Sequence, residues 1–152
     1  MSIVDIIKSS PLFFDLYDKE IDYIIQKGVV LSLESGEYIV RDGDVGDEIF
    51  ILLTGHADVL KDGVTLANLA KGDFFGELVL INDKQRTADI LTTSYCDVLT
   101  LDYGAVFDLY STKPRIFSLL ILNLARLLTK RLKNANKKIY DLDHQQSDKK
   151  AS

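Results

Sequence analysis

Residues suited to holding a charged ligand are concentrated in Gly72-Asp73-Phe74-Phe75-Gly76-Glu77-Leu78-Val79-Leu80, followed after a short loop by Arg86-Thr87-Ala88. Gly76 permits close backbone approach, and Glu77 to Ile81 can form one short helical turn. The free N–H groups at the start of that turn would face whatever lies in front of Gly76, and they suit an anion. Arg86 offers a planar fork to a phosphate. Glu77 repels phosphate, so it makes sense only if the ligand also presents hydroxyl donors, as a ribose does. A phosphate and a hydroxyl on one small molecule describe a nucleotide whose phosphate lies against its sugar. The same residues also permit a simpler arrangement, an ion pair between Glu77 and Arg86 within a turn.

Other chemistries find few candidates. The two histidines, His56 and His144, lie far apart in sequence, and there is no H-E-x-x-H, C-x-x-C or G-x-S-x-G. The single cysteine, Cys96, sits at the start of a strand and reads as a small buried hydrophobe. The expectation is a protein that is not an enzyme, holds no metal and carries no cofactor.

The elements that must position the site follow from periodicity. Ile3, Ile6 and Ile7 share a helical face that ends at Ser9-Ser10-Pro11. A second helix is expected over Lys19–Lys27, closed by Gly28 as its C-cap. Short strands then alternate with turns: Val29–Leu33, Glu37–Arg41, Glu48–Leu53, Ala57–Lys61, Val64–Leu69, Thr87–Thr92 and Cys96–Asp102. Asp62-Gly63 is a two-residue hairpin signal, since a type I′ turn needs positive φ at both positions. Such spacing points to a closed or double-sheet β-architecture. A short helix over Tyr103–Tyr110 and a long one, opened by Pro114 at its first position and running to about Ile139, complete the chain. The long helix is apolar almost all round in its first half, so more than one side must be covered.

A length of 152 residues with 47% apolar and 27% charged residues fits one soluble globular domain. No apolar run reaches the ~18 residues of a membrane span, and the N-terminus does not read as a signal peptide. A cytoplasmic location is expected. Residues 1–112 carry 20 acidic and 8 basic residues, a charge of −12, while 113–152 carry 10 basic and 3 acidic, a charge of +7. An acidic body with a basic end is not a nucleic-acid footprint, although the basic end suits the helix dipole or an acidic partner.

Two motifs together resemble the cyclic-nucleotide-binding domains of the catabolite activator protein, kinase regulatory subunits and gated channels. One is the glycine-bounded segment from Gly43-Asp44-Val45-Gly46 through Glu48-Ile49-Phe50 to Thr54-Gly55. The other is Gly72 to Leu78 with Arg86-Thr87-Ala88, similar to that family's phosphate-binding cassette. The resemblance covers about Leu12 to Lys133. It implies an α+β, mainly β fold: an eight-stranded antiparallel β-roll (jelly roll) with N-terminal helices and a long C-terminal helix. The domain would span residues 1–139, with helices over 1–28, the roll over 29–102 and C-terminal helices over 103–139. Residues 140–152 would be a polar, disordered tail.

By the same resemblance, the ligand is a purine 3′,5′-cyclic nucleotide, cAMP favoured over cGMP. Arg86 would pair with the cyclic phosphate and Glu77 would accept the ribose 2′-hydroxyl. Phe75, Leu78 and the N–H groups of Gly76 to Val79, Thr87 and Ala88 would complete the cradle. Val79 stands where the family has Ala, Ser or Gly, and its branched side chain is expected to crowd that cradle. In some family members a Thr at the position of Thr87 reaches a guanine amino group. The long helix would close over the base, with Arg131 and Leu132 near the purine, or Arg131 would be one more solvated base. A homodimer through residues 115–132 is expected, using Phe117, Leu120, Leu124 and Leu127 as a second apolar stripe. With no helix-turn-helix in view, the reading is a sensor acting on an effector protein in trans, without DNA or membrane contact. The competing reading is a β-roll interaction scaffold that does not bind nucleotide.

Overall fold

The computed structural model describes residues 2–81 and 83–151, with side chains described as far as residue 146. Ser2 opens α1 (Ile3–Lys8) with a capping box: the Asp5 N–H donates to its hydroxyl, and its own N–H donates to the Asp5 carboxylate. A 3₁₀ turn (Pro11–Phe13) leads to α2 (Asp18–Lys27), which buries Ile21 and Ile24. Gly28 closes α2 in an extended conformation, φ −99° and ψ 175°, not in the left-handed one. Glycine is needed there for space, because a Cβ would sit 2.7 Å from the Thr100 carbonyl oxygen.

Eight strands follow: β1 (Val29–Leu33), β2 (Tyr38–Val40), β3 (Glu48–Thr54), β4 (Ala57–Lys61), β5 (Val64–Leu69), β6 (Phe74–Phe75), β7 (Asp89–Thr92) and β8 (Cys96–Asp102). They build two antiparallel four-stranded sheets, ordered β1-β8-β3-β6 and β2-β7-β4-β5, the expected β-roll. Asp62 (φ 51°) and Gly63 (φ 77°) turn β4 into β5, with Lys61 opposite Val64. The strand absent from the periodicity is β6, whose Phe75 and Phe74 pair with Phe50 and Ile51 of β3.

Strand β3 shows how the two halves of the core are built. Its side chains alternate between faces. Ile49, Ile51 and Leu53 join Leu99 and Leu101 against the helices, while Phe50 and Leu52 point into the roll with Phe75, Ile90 and Val98. With both faces covered, the strand reads as a continuous apolar run.

The Asp102 carboxylate caps α3 (Tyr103–Thr112), accepting from the Ala105 N–H at 2.7 Å. Helix α4 (Pro114–Ala151) starts at Pro114 as expected. Its first half is covered on two sides. The Phe117 ring meets Phe107 and Tyr110 edge-on, and Ile116, Leu120 and Leu124 lie in the helix-facing core. The buried Asn123 side chain donates to the carbonyls of Leu12 and Phe14, at 3.0 and 2.9 Å.

Two expectations about α4 need correction. Leu120 and Leu124 are 2% and 1% exposed, so the middle of the stripe expected at a dimer is consumed within the chain, while Leu127 is only partly covered. The α3 helix and the Pro11–Phe13 turn fill the side that periodicity left open. The helix also continues past Ile139 to Ala151, where a disordered tail was expected. No Gly or Pro follows Pro114, and Lys, Leu, Ala and Gln support helix through the polar stretch. Ser152 lies outside the described residues.

Candidate functional site

Arg86 is held from the backbone outward. The Gly43 N–H donates to the Arg86 carbonyl at 2.9 Å, the Arg86 N–H to Asp44 at 2.7 Å, and the Gly46 N–H to Lys84 at 2.9 Å. These bonds strap residues 84–86 against the loop before β3. The Arg86 side chain then runs inward and is 7% exposed. Its guanidinium passes between two glycines: a Cβ on Gly46 would lie 2.7 Å from Nη2, and one on Gly76 would lie 2.7 Å from Nη1. Its carbon lies 5.4 Å from the centroid of the Phe50 ring, which stacks on Phe75 at 5.0 Å.

A buried guanidinium needs an acceptor. Here Nη2 donates to the Glu48 carbonyl at 2.9 Å and to its carboxylate at 3.2 Å. The Glu48 side chain is 44% exposed, so water can receive its carboxylate when another anion takes Arg86. Sequence reasoning missed Glu48, although it lies in the quoted glycine-bounded segment. Nothing in a strand pattern distinguishes a carboxylate that faces an arginine 38 residues away.

Glu77 is buried at the start of a 3₁₀ turn (Glu77–Ile81) and pairs with Arg131 of α4. The simple Glu77–Arg86 ion pair is therefore not formed: each residue has a different partner. Gly76, at φ +79°, makes the reversal that brings the turn beside Arg86. The N–H groups of Glu77, Leu78, Thr87 and Ala88 meet no acceptor among the described residues.

These groups converge on one cleft of about 330 Å³. Phe75, Gly76, Glu77 and Leu78 form one wall, Arg86, Thr87 and Ala88 another, and Arg131 reaches in from α4. Val40, Val59, Ala67, Leu69 and Ile90 of the roll supply an apolar lining, while Asp83 and Gln85 add polar groups that sequence reasoning did not single out. The cleft thus combines apolar walls with a few convergent polar groups, the usual make-up of a small-molecule site.

Two expected site residues lie elsewhere. Val79 is 1% exposed and packs with Leu80 in the helix-facing core, so its branched side chain does not enter the cleft. With three residues per turn in the 3₁₀ segment, Val79 lies about 120° around from Glu77. Leu132 is 62% exposed and is not among the lining residues, one position around the helix from Arg131.

Fold and site define a class: a β-roll whose cleft lies between a glycine-led turn and an arginine-bearing loop, with a C-terminal helix reaching across. Residues 30–113 match the model of the cyclic nucleotide-binding domain, and the chain belongs to that family. It is 36% identical over 88 residues to a cGMP-dependent protein kinase of Plasmodium berghei, covering 58% of this chain and 10% of that one. It is also 36% identical over 98 residues to a cAMP-dependent protein kinase regulatory subunit of Eremothecium gossypii, covering 64% and 21%. The chain thus spans between a tenth and about a fifth of these relatives' lengths. Among solved structures, the Thermus thermophilus catabolite activator protein superposes with a TM-score of 0.77 at 28% identity, over 88% of this chain and 63% of that one. The regulatory domain of Toxoplasma gondii PKA, crystallised with cAMP, superposes with a TM-score of 0.63 at 27% identity, over 70% and 42%.

Proposed function

We propose that the chain is a non-enzymatic cytoplasmic sensor of a purine 3′,5′-cyclic nucleotide, with cAMP favoured over cGMP. The observation that carries this reading is the placement of buried Arg86 and Glu77 on one cleft, each held by a partner that a ligand can replace. The cyclic phosphate takes Arg86 from the half-exposed Glu48 carboxylate and accepts from the N–H groups of Thr87 and Ala88. The ribose 2′-hydroxyl donates to Glu77. The purine lies on the apolar strand residues toward Arg131. The regulatory domain crystallised with cAMP supports the preference for that nucleotide. Calorimetric titration with cAMP and with cGMP is the test, and a tenfold or greater preference for cGMP would overturn the choice of base.

Occupancy is relayed through α4, because the helix that carries Arg131 is tied to the site through Glu77. A ligand shifts the helix only if it binds one helix position more tightly than the other. A homodimer pairs farther along the same helix. From Leu128, partly covered by the helix-facing core, the series runs through Leu132, Ala135, Ile139 and Leu142 at four, three, four and three residues, the seam of a two-stranded coiled coil. Leu132, Ile139 and Leu142 are all about 60% exposed and would be buried in that seam. An effector protein then reads the state of the pair.

A further inference from the structure

A second concavity, sharing no lining residue with the nucleotide cleft, lies where α1 and its following turn meet α4. It measures about 400 Å³ and is floored by Pro11, Phe14 and Leu127. Phe14 is 62% exposed although its neighbours Leu12 and Phe13 are in the core. Ser10 stands in the wall, and its buried hydroxyl has no hydrogen-bond partner among the described residues. Lys8, Arg126 and Lys130 form the rim.

The rim continues as a row. Arg126, Lys130, Lys133 and Lys137 are spaced by four, three and four residues, so they share one face of α4. Among the described residues no carboxylate pairs with any of these four side chains, whereas Lys8 pairs with Asp18. At 100° per residue, Lys130 is turned about 200° from both Leu128 and Leu132. The basic row therefore stays open when the coiled-coil seam is closed.

We infer that this groove and basic row receive a short acidic segment of a partner protein. One apolar side chain of the segment seats on Phe14 and Leu127, and its carboxylates lie along Arg126, Lys130 and Lys133. The charge pattern selects this occupant. Residues 1–112 carry a charge of −12, which repels a membrane surface or a nucleic acid, each of which presents an extended sheet or rod of negative charge. A short acidic segment meets only the basic row. The apolar floor adds a contact that neither phosphate backbone nor lipid headgroup uses. This inference stands apart from nucleotide binding and is tested without nucleotide.

The test uses a fluorescein-labelled peptide of glutamates with Leu or Phe at every third or fourth position, titrated with the whole chain by anisotropy. Phosphatidylserine–phosphatidylcholine vesicles and duplex DNA are run beside it. The parent chain is expected to bind the peptide and to prefer it to both other probes. The Lys130→Glu, Lys133→Glu double variant should bind about tenfold more weakly and the Phe14→Ala variant about fivefold more weakly, both with an unchanged thermal midpoint. All three substitutions fall on exposed side chains, so the fold is expected to survive them. No peptide binding by the parent, undiminished binding by both variants, or tighter binding of vesicles or DNA would overturn the inference.

Discussion

Replacing Gly76 by alanine separates the two demands that the site places on one residue. Gly76 has φ +79°, where an L side chain costs about 1–2 kcal/mol. Its Cβ would also lie 2.7 Å from both the Glu48 carbonyl oxygen and Arg86 Nη1, and the carbonyl belongs to a paired strand that cannot easily retreat. Overpacking of that kind costs roughly 1–3 kcal/mol. Gly63 has nearly the same φ, +77°, with nothing within 4 Å of its Cβ, so Gly63→Ala isolates the backbone cost. Gly46 lacks the positive φ but abuts Arg86 Nη2 at 2.7 Å, so Gly46→Ala isolates the crowding of the guanidinium. A domain of this size loses about 2–4 °C of melting temperature per kcal/mol. At the middle of these ranges, about 1.5 and about 3.5 kcal/mol, Gly63→Ala should lower the midpoint by about 3–6 °C and Gly76→Ala by about 7–14 °C in differential scanning fluorimetry or calorimetry. Gly46→Ala should change the midpoint little and weaken cyclic-nucleotide binding, because Arg86 must shift. A Gly76→Ala variant no less stable than Gly63→Ala would refute the packing of Arg86 between the two glycines.

Three further outcomes follow from the site. Val79→Ala removes about two buried methyl groups from the core, so it should cost about 2 kcal/mol of stability in urea unfolding and leave cAMP affinity within twofold. A change in affinity without loss of stability would return Val79 to the cleft. Glu77→Ala should abolish discrimination between cAMP and 2′-deoxy-cAMP in competition binding, and retained discrimination would remove Glu77 from the ribose contact. Leu132→Asp combined with Ile139→Asp should convert the dimer to a monomer by light scattering, while a monomeric parent at high micromolar concentration would contradict the seam.

Local chemistry made much of this legible in the sequence. Asp62-Gly63 signalled its hairpin because few residues accept positive φ, and Pro114 fixed the start of α4 because it needs no N–H donor there. Glu77 and Arg86 stood out because opposite charges beside glycines suit a mixed phosphate and hydroxyl ligand. Properties that depend on distant partners were hidden. Strand β6 has only two residues, too few to show an alternation, and its existence rests on pairing with Phe50 and Ile51. Leu120 and Leu124 look like any apolar stripe until α3 and the Pro11–Phe13 turn are seen to cover them. Glu48 became visible as a site residue only when the fold brought it to Arg86. The basic groove was likewise divided between Lys8 and Arg126, residues more than a hundred positions apart in the chain.

The measurement that bears most directly on the proposed function is isothermal titration of cAMP into the parent chain and into Arg86→Ala. Glu48 loses only a partner that it shares with water, so the variant should remain folded. Truncating the buried half of a charge pair with the phosphate should cost roughly 2–5 kcal/mol, a loss of affinity of about 30-fold or more. The account predicts saturable binding by the parent and this loss in the variant. No binding by the parent up to millimolar cAMP, or equal affinity in both proteins, would contradict it.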